Sequence, residues 1–475
     1  MIIKHFLSYF FAQGVPAILA FVSMSIYSRL ITPEEYGIYA MVLATSGLIN
    51  SILFEWLRMG LLRFYPSKTS EMEKKQLLGT VLTAFLMLLF ITVVLTIIIY
   101  GTPIFSETGN DLWVYVILLT WLQAWLSINL TFFRSNLLRK SYSIVSVMRA
   151  VATFIISLVL VYMGMKYESL ILGMILGIIV SVVVPTIRFW KIKYINLFNK
   201  KLMYELLKYG LPFTFTFAMG AIINSTDRFF LNWLKGSSAT GLYSIAYDFS
   251  SQTIMNLMMI VNLAAYPLAL RAFEREGEEA CKRQLNKNAI LLFLITIPAM
   301  AGIFTLSENI SNVFFGEEYR SVATQVIPWI SLAAFLNGST VYYVNISFQL
   351  GKKTKYQVIP VCIAAIVNII LNYIFIPKYG VMGAVYSTLV AYIIALVISY
   401  ILAKNVFYLP IPWREIWKIV FSTFIMIIII KEIAYFQGIR GLVFQVFVGA
   451  TAYLICIIFM NISDVRTRIF KKIRN

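Results

Sequence analysis

A chain of 475 residues with 60% hydrophobic and 13% charged side chains, and a mean hydropathy of +0.82, cannot dress a soluble fold of that size in polar surface. Its net charge of +19 does not read as a nucleic-acid face, because the basic residues sit between apolar segments rather than together on one soluble surface. One histidine, His5, and three widely separated cysteines, Cys281, Cys362 and Cys456, exclude a structural zinc site and a disulfide framework, and no catalytic, cofactor or metal site is expected.

The N-terminal stretch MIIKHFLSYFFAQ lacks a small-residue cleavage site after a short apolar core, so it is expected to open the first membrane span rather than to be removed. Apolar runs of roughly 20 residues, enough to cross the hydrocarbon core as helices, then succeed one another along the chain. They are expected at 8–30, 36–57, 77–100, 112–133, 143–163, 168–190, 208–230, 241–268, 289–306, 323–349, 356–376, 380–403, 416–435 and 441–460. The fold class is therefore all-α and polytopic, with about fourteen transmembrane helices.

Charge between the spans alternates. With fourteen spans, 31 of the 40 Lys and Arg residues fall on one side and 8 on the other, while Arg149 lies inside a span. Acidic residues divide almost evenly, so this is a Lys/Arg bias, and it places both termini in the cytoplasm of a multi-pass cytoplasmic (inner) membrane protein. The longest connections, 58–76, 188–207 and 271–288, are on the basic side. The middle one has apolar residues at Ile195, Leu197, Phe198, Leu202, Leu206 and Leu207. It either lies along the membrane surface or serves as a basic linker.

The chain resembles itself at an offset of roughly 200 residues. Gly14-Val15-Pro16 opens the first span and Gly210-Leu211-Pro212 the seventh. Gly37-Ile38-Tyr39 opens the second, and Gly241-Leu242-Tyr243 the eighth. Arg139-Lys140-Ser141-Tyr142 precedes the fifth, and Lys352-Lys353-Thr354-Lys355-Tyr356 the eleventh. Lys166-Tyr167 and Lys378-Tyr379-Gly380 come after those two spans. An even number of spans separates the copies, so both run the same way through the membrane as a parallel repeat, an architecture suited to alternating access. The expected organisation is an N-terminal six-helix lobe at 1–192, a cytoplasmic linker at 193–207, a C-terminal six-helix lobe at 208–405, and two additional helices with a basic cytoplasmic tail at 406–475.

Polar side chains are costly in a span that faces only lipid. The eighth span carries Ser244, Asp248, Gln252 and Asn256 at helical spacing on one face, and the tenth carries Asn337, Asn345 and Gln349, with Tyr342 and Tyr343 nearby. The seventh ends in Asn224-Ser225-Thr226-Asp227-Arg228; the first holds Arg29, and the second Asn50 and Glu55. The first, second, seventh and eighth spans are the most polar and are paired by the repeat, so they are expected to line a hydrated cavity; helix-to-helix hydrogen bonding is the alternative. Guanidinium groups match phosphate oxygens in a two-pronged fork. Arg149, about two turns into the fifth span, has no acid within a turn. Arg58 lies one turn from Glu55, and Arg29 and Arg228 end pseudo-equivalent helices. The candidate substrate-binding residues are thus Arg29, Asn50, Arg58, Arg149, Asn224, Asp227, Arg228, Asp248, Gln252, Asn256 and Asn345. No GxxxxGK[ST], HExxH or GxSxG motif is present.

The stretch Ser28-Arg29-Leu30-Ile31-Thr32-Pro33-Glu34-Glu35-Tyr36-Gly37-Ile38-Tyr39 resembles the first loop of Wzx-type polysaccharide flippases, members of the superfamily that also holds multidrug extruders and lipid II flippases. Asp227-Arg228-Phe229-Phe230-Leu231, with Gly241-Leu242-Tyr243-Ser244-Ile245-Ala246-Tyr247 after it, resembles the matching loop of the second half, and Pro377-Lys378-Tyr379-Gly380-Val381-Met382-Gly383-Ala384 also fits. The resemblance, over about residues 5 to 405, implies a MATE-like fold of two six-helix lobes in a V. It implies transfer of undecaprenyl-diphosphate-linked oligosaccharide repeat units from the cytoplasmic to the outer leaflet, for O-antigen or other surface polysaccharide. The implied partners are the lipid-linked oligosaccharide, membrane lipid, and polysaccharide polymerase and chain-length proteins. Many members have twelve spans, and the fourteen expected here are shared with lipid II flippases. The rival readings are a cation-coupled multidrug exporter, with Asp248 as its candidate acid, or a lipid II flippase on the same fold. A polytopic polymerase or ligase would need a large outer loop with catalytic Arg or His, which the short outer loops and lone His5 do not supply.

Overall fold

The computed structural model describes residues 2–100 and 110–462, and the side chains of 14–98 and 112–462. The side chains of Lys4 and His5 and the basic tail residues Arg466, Arg468, Lys471, Lys472 and Arg474 lie outside the described residues. The described chain is helical throughout: α1 Ile2–Leu30, α2 Pro33–Leu53, α3 Glu55–Phe64, α4 Glu71–Tyr100, α5 Asn110–Ser135, α6 Arg139–Tyr162, α7 Tyr167–Phe189, α8 Lys200–Glu276, α9 Glu278–Thr305, α10 Ser307–Phe314, α11 Glu317–Ser339, α12 Asn345–Leu350, α13 Val358–Tyr379, α14 Val381–Lys404, α15 Trp413–Glu432 and α16 Gly438–Phe459. A π-helical turn, Thr340–Val344, joins α11 to α12. The expected spans overlap helical chain, the second running over the break at Phe54 between α2 and α3. Among the described residues ten helices are long and apolar enough to cross a membrane, α8 among them holding the expected seventh and eighth spans together. Helices α11 and α15 are more polar, and α1 has a shorter apolar run at Gly14–Leu30.

Local chemistry sets the helix starts. Thr32 caps α2: its Oγ1 accepts from the Glu35 N–H at 3.4 Å, and its own N–H donates to Glu35 Oε2 at 3.2 Å, with Pro33 preset for the first turn. Ser70 and Glu73 form the same reciprocal box before α4. Gly236, at φ +85°, breaks α8; no L side chain adopts that backbone readily.

The chain forms two compact units, Met1–Asn232 and Trp233–Asn475. The first unit is centred on an aromatic cluster. The Trp125 ring lies 4.9 Å from both Phe85 and Trp190, and Phe132 packs on Tyr65, Phe133, Phe189 and Trp190. Both indoles of this cluster are satisfied: Trp125 Nε1 donates to Thr186 Oγ1 at 2.8 Å and Trp190 Nε1 to Asn129 Oδ1 at 3.0 Å. In a medium without water this is the condition for burying tryptophan. Helices α6 and α7 run closest together, because Gly173 and Gly177 let the Ser157 and Thr153 backbone approach.

The connection at 193–207 is not an open tether. A 3-10 turn, Ile192–Leu197, packs on α4, where Gly79 leaves room for the Tyr194 carbonyl. Asn199 donates its N–H to Thr80 Oγ1 and caps the first turn of α8 through Leu202. Leu202 and Leu206 are buried, with Leu206 against Gly60, and Gly210 meets the Trp56 backbone. These contacts fix the start of α8 within the first unit, which runs to Asn232.

In the second unit α13 and α14 pack most closely, and α11 packs on α14. The repeat makes these pairs equivalent to α6–α7 and α5–α7 of the first unit, which also pack together. Helices α15 and α16 pack on each other and on α9 and α10. At one end, Gln445 and Asn309 form a buried polar clamp. Gln445 Nε2 donates to the carbonyls of Ile433 and Phe436, its Oε1 accepts from Asn309 Nδ2 at 2.8 Å, and Asn309 Oδ1 accepts from the Gly438 N–H. At the other, Tyr453 donates to the Leu294 carbonyl.

Candidate functional site

The two units are described separately. In the first, Arg29 ends α1, is exposed, and folds back onto its own helix, donating to Ser25 Oγ at 2.6 Å and to the Ser25 carbonyl. Asn50 is half-buried on α2, and its carbonyl holds the turn into α3 by accepting from the Phe54 N–H. Arg58 is committed locally: its Nε donates to both carboxylate oxygens of Glu55, and its guanidinium lies 5.6 Å from the centre of the Phe217 ring of α8. On the same stretch of α8, Asn224 is exposed while Asp227 and Arg228 are buried. Each of these three has a partner in the fold.

Arg149 is different. It is the eleventh residue of the 24-residue α6, about 15 Å of helical rise from Arg139 and hence near the middle of a span. Its guanidinium is in electrostatic reach of Tyr39 on α2 and Tyr142 two turns earlier on α6. It is half-buried, and among the described residues it has no ion pair. A guanidinium at membrane depth requires an anion or water around it. A guanidinium with phenols in its surroundings offers donor groups that match phosphate oxygens.

In the second unit the eighth-span stripe forms as the spacing requires. Ser244 is buried, while Asp248, Gln252 and Asn256 continue along the same face, each half-buried. Asn345 opens α12 directly after the π turn. Its Oδ1 is buried and accepts no hydrogen bond among the described residues, while its backbone carbonyl accepts from Gln357 Nε2 at 3.2 Å. Tyr343, beside it, is buried, and its hydroxyl donates to the Pro410 carbonyl.

The structure adds residues that the reading of the sequence passed over. Asn368 and Asn372 on α13 are fully buried, with Asn372 Nδ2 donating to Asn368 Oδ1 at 3.1 Å and Asn368 Nδ2 reaching Thr388 Oγ1 of α14 at 3.5 Å. The Tyr247 and Tyr392 hydroxyls meet at 3.5 Å. The asparagine pair was legible as two amides one turn apart in the apolar run VNIILNY. Tyr39 as a neighbour of Arg149 was not, because that proximity is made by packing between helices. Among the described residues no three His, Cys, Asp or Glu side chains gather as a metal site.

Comparison with known proteins places this architecture. A Haloferax volcanii protein named as a probable low-salt glycan biosynthesis flippase is 20% identical over 458 residues, 94% of this chain and 92% of that protein. A Shigella flexneri protein named as an O-antigen transporter is 21% identical over 409 residues, 81% of this chain and 94% of that protein. Among solved structures, a lipid II flippase in an inward closed conformation aligns with a TM-score of 0.74 at 17% identity, covering 95% of this chain and 98% of that one, which shows a shared fold. The model of the family described as polysaccharide biosynthesis protein matches residues 26–324, more than half of the chain, and this multi-pass membrane protein belongs to that family.

Proposed function

We propose that this protein is a flippase that carries an undecaprenyl-diphosphate-linked oligosaccharide from the cytoplasmic to the outer leaflet by alternating access, for assembly of a surface polysaccharide. The observation that carries the reading is Arg149, an intramembrane guanidinium within electrostatic reach of Tyr39 and Tyr142 and without an ion pair among the described residues. The anion it awaits is the diphosphate. The amide stripe at Asp248, Gln252 and Asn256 suits hydroxyl-rich sugars, which exchange hydrogen bonds with amides and carboxylates. Arg58 is already held by Glu55, so it supports the site rather than receiving the phosphate. The membrane is the bacterial cytoplasmic membrane, with both termini cytoplasmic, and a polymerase and a chain-length protein act on the delivered units.

Deletion of the gene in its host, with analysis of the lipid-linked sugars of each leaflet, tests this. Accumulation of a diphosphate-linked oligosaccharide on the cytoplasmic side, with loss of surface polymer, is the expected result. Accumulation of lipid II instead would assign the chain to cell-wall precursor transfer, the reading that its structural likeness to a lipid II flippase favours. Normal polymer with new drug sensitivity would make it an exporter. Arg149→Ala is expected to abolish export at unchanged protein level, and Arg149→Lys to retain part of it; wild-type export by Arg149→Ala removes Arg149 from the mechanism.

A further inference from the structure

We infer that the second unit carries a binding site for one anionic phospholipid, in an apolar groove at the α14–α15 connection that none of the candidate substrate residues lines. The groove has a volume of about 440 Å³, within the range of about 300–1,000 Å³ usual for small-molecule sites. Its walls are Phe293 of α9, Phe335 of α11, Tyr343 of the π turn, Val397 and Tyr400 of α14, and Trp413 of α15.

The groove arises from the local backbone. A π turn carries an extra residue per turn and displaces the helix beyond it. Past this one, Ser347 Oγ holds the end of α14 and the next segment through the carbonyls of Ala403 (3.0 Å) and Phe407 (2.8 Å), while Tyr343 holds Pro410. Two hydroxyls of the wall are thereby turned to the backbone, Ser339 Oγ donating to the Phe335 carbonyl and the Tyr343 hydroxyl to Pro410. The remaining surface of the groove is hydrocarbon, which suits an acyl chain and not a sugar or a peptide amide.

The rim selects the headgroup. Val397 is 51% and Trp413 60% exposed, so the groove opens sideways, and Trp417, one turn beyond Trp413, is 68% exposed. Tryptophans beside basic residues at a helix end are the signature of the membrane–water interface. The Lys404 ammonium stands 4.7 Å from the centre of the Tyr400 ring, and Arg414 is next in the chain after Trp413. Among the described residues neither has an ion pair, whereas Lys418 is taken by Glu415 at 3.0 Å. The Lys/Arg bias puts this end of the unit at the cytoplasmic leaflet, where anionic lipid is concentrated. One acyl chain therefore lies in the groove, and the phosphate of a net-negative headgroup sits between Lys404 and Arg414.

Purified full-length protein, delipidated in detergent, is titrated with phosphatidylglycerol or with phosphatidylcholine of the same acyl chains and monitored by native mass spectrometry. One phosphatidylglycerol is expected to bind, with a preference of about fivefold for each basic residue. Lys404→Gln with Arg414→Gln, both at exposed positions where the fold does not depend on them, brings phosphatidylglycerol down to the level of phosphatidylcholine. Val397→Trp fills the mouth and weakens both lipids. Equal binding of the two lipids by the wild type, or an undiminished preference in the double variant, overturns the proposal. Displacement of bound phosphatidylglycerol by equimolar undecaprenyl phosphate also overturns it, by giving the groove to the tail of a polyprenyl substrate.

Discussion

Glu55 holds Arg58 with both carboxylate oxygens: the Arg58 Nε lies 2.9 Å from Oε1 and 3.0 Å from Oε2, one turn away on α3. The pair is mostly enclosed, with 11% of the Glu55 side chain and 28% of the Arg58 side chain exposed. Taking away one partner strands the other in a poorly hydrated place, while taking away both does not. Glu55→Gln and Arg58→Gln should each lower thermal stability in detergent, and the double variant should lose less than their sum. The coupling expected from such a cycle is about 1–2 kcal/mol, and strict additivity would show that the pair is idle.

The stripe on the eighth span makes a separate claim. Gln252 and Asn256 are half-buried without lying in the apolar core of their unit, so apolar replacements should leave the fold intact. If they touch the sugars, Gln252→Leu and Asn256→Leu should each slow export about fivefold, the worth of roughly one hydrogen bond. Export rate normalised to membrane protein level is the measurement, and unchanged rates in both variants would leave the stripe a matter of helix packing alone.

Gly177 fixes how closely α6 and α7 approach. A Cβ there would lie 2.7 Å from the Thr153 N and 2.9 Å from its Cα, both of them backbone atoms that cannot swing away. Gly177→Val should therefore force the helices apart and destabilise the first unit by about 1–3 kcal/mol, read as a lowered melting temperature. Gly220→Ala, where nothing lies within 4 Å of the added carbon, is the matched control and should melt like the wild type.

The clamp at the start of α16 is a buried polar network, and such networks are costly to satisfy in part. Gln445→Leu would leave the Ile433 carbonyl and Asn309 with hydrogen bonds unmade. A loss of about 2–3 kcal/mol is expected, with faster proteolysis in the segment 433–440 that joins α15 to α16. Protection equal to wild type would mean that packing alone holds α16.

Apolar run length, the Lys/Arg bias and the repeat motifs determined by themselves that this is an all-helical membrane protein built from two similar halves. They could, because in hydrocarbon every backbone group must be paired within its own segment, so each span declares itself locally. The same holds for the Ser244 to Asn256 stripe, which needs only neighbours on one helix. Tertiary packing decided the features that depend on distant parts of the chain. It seated the start of α8 in the first unit, through Leu206 against Gly60 and Gly210 against Trp56. It brought the Phe217 ring of α8 to 5.6 Å from the Arg58 guanidinium, and Tyr39 of α2 within electrostatic reach of Arg149 on α6. The acid one turn from Arg58 was legible along the sequence, because both residues lie on one helix; the rings that other helices bring to an arginine were not, because residues distant in the chain meet only through packing.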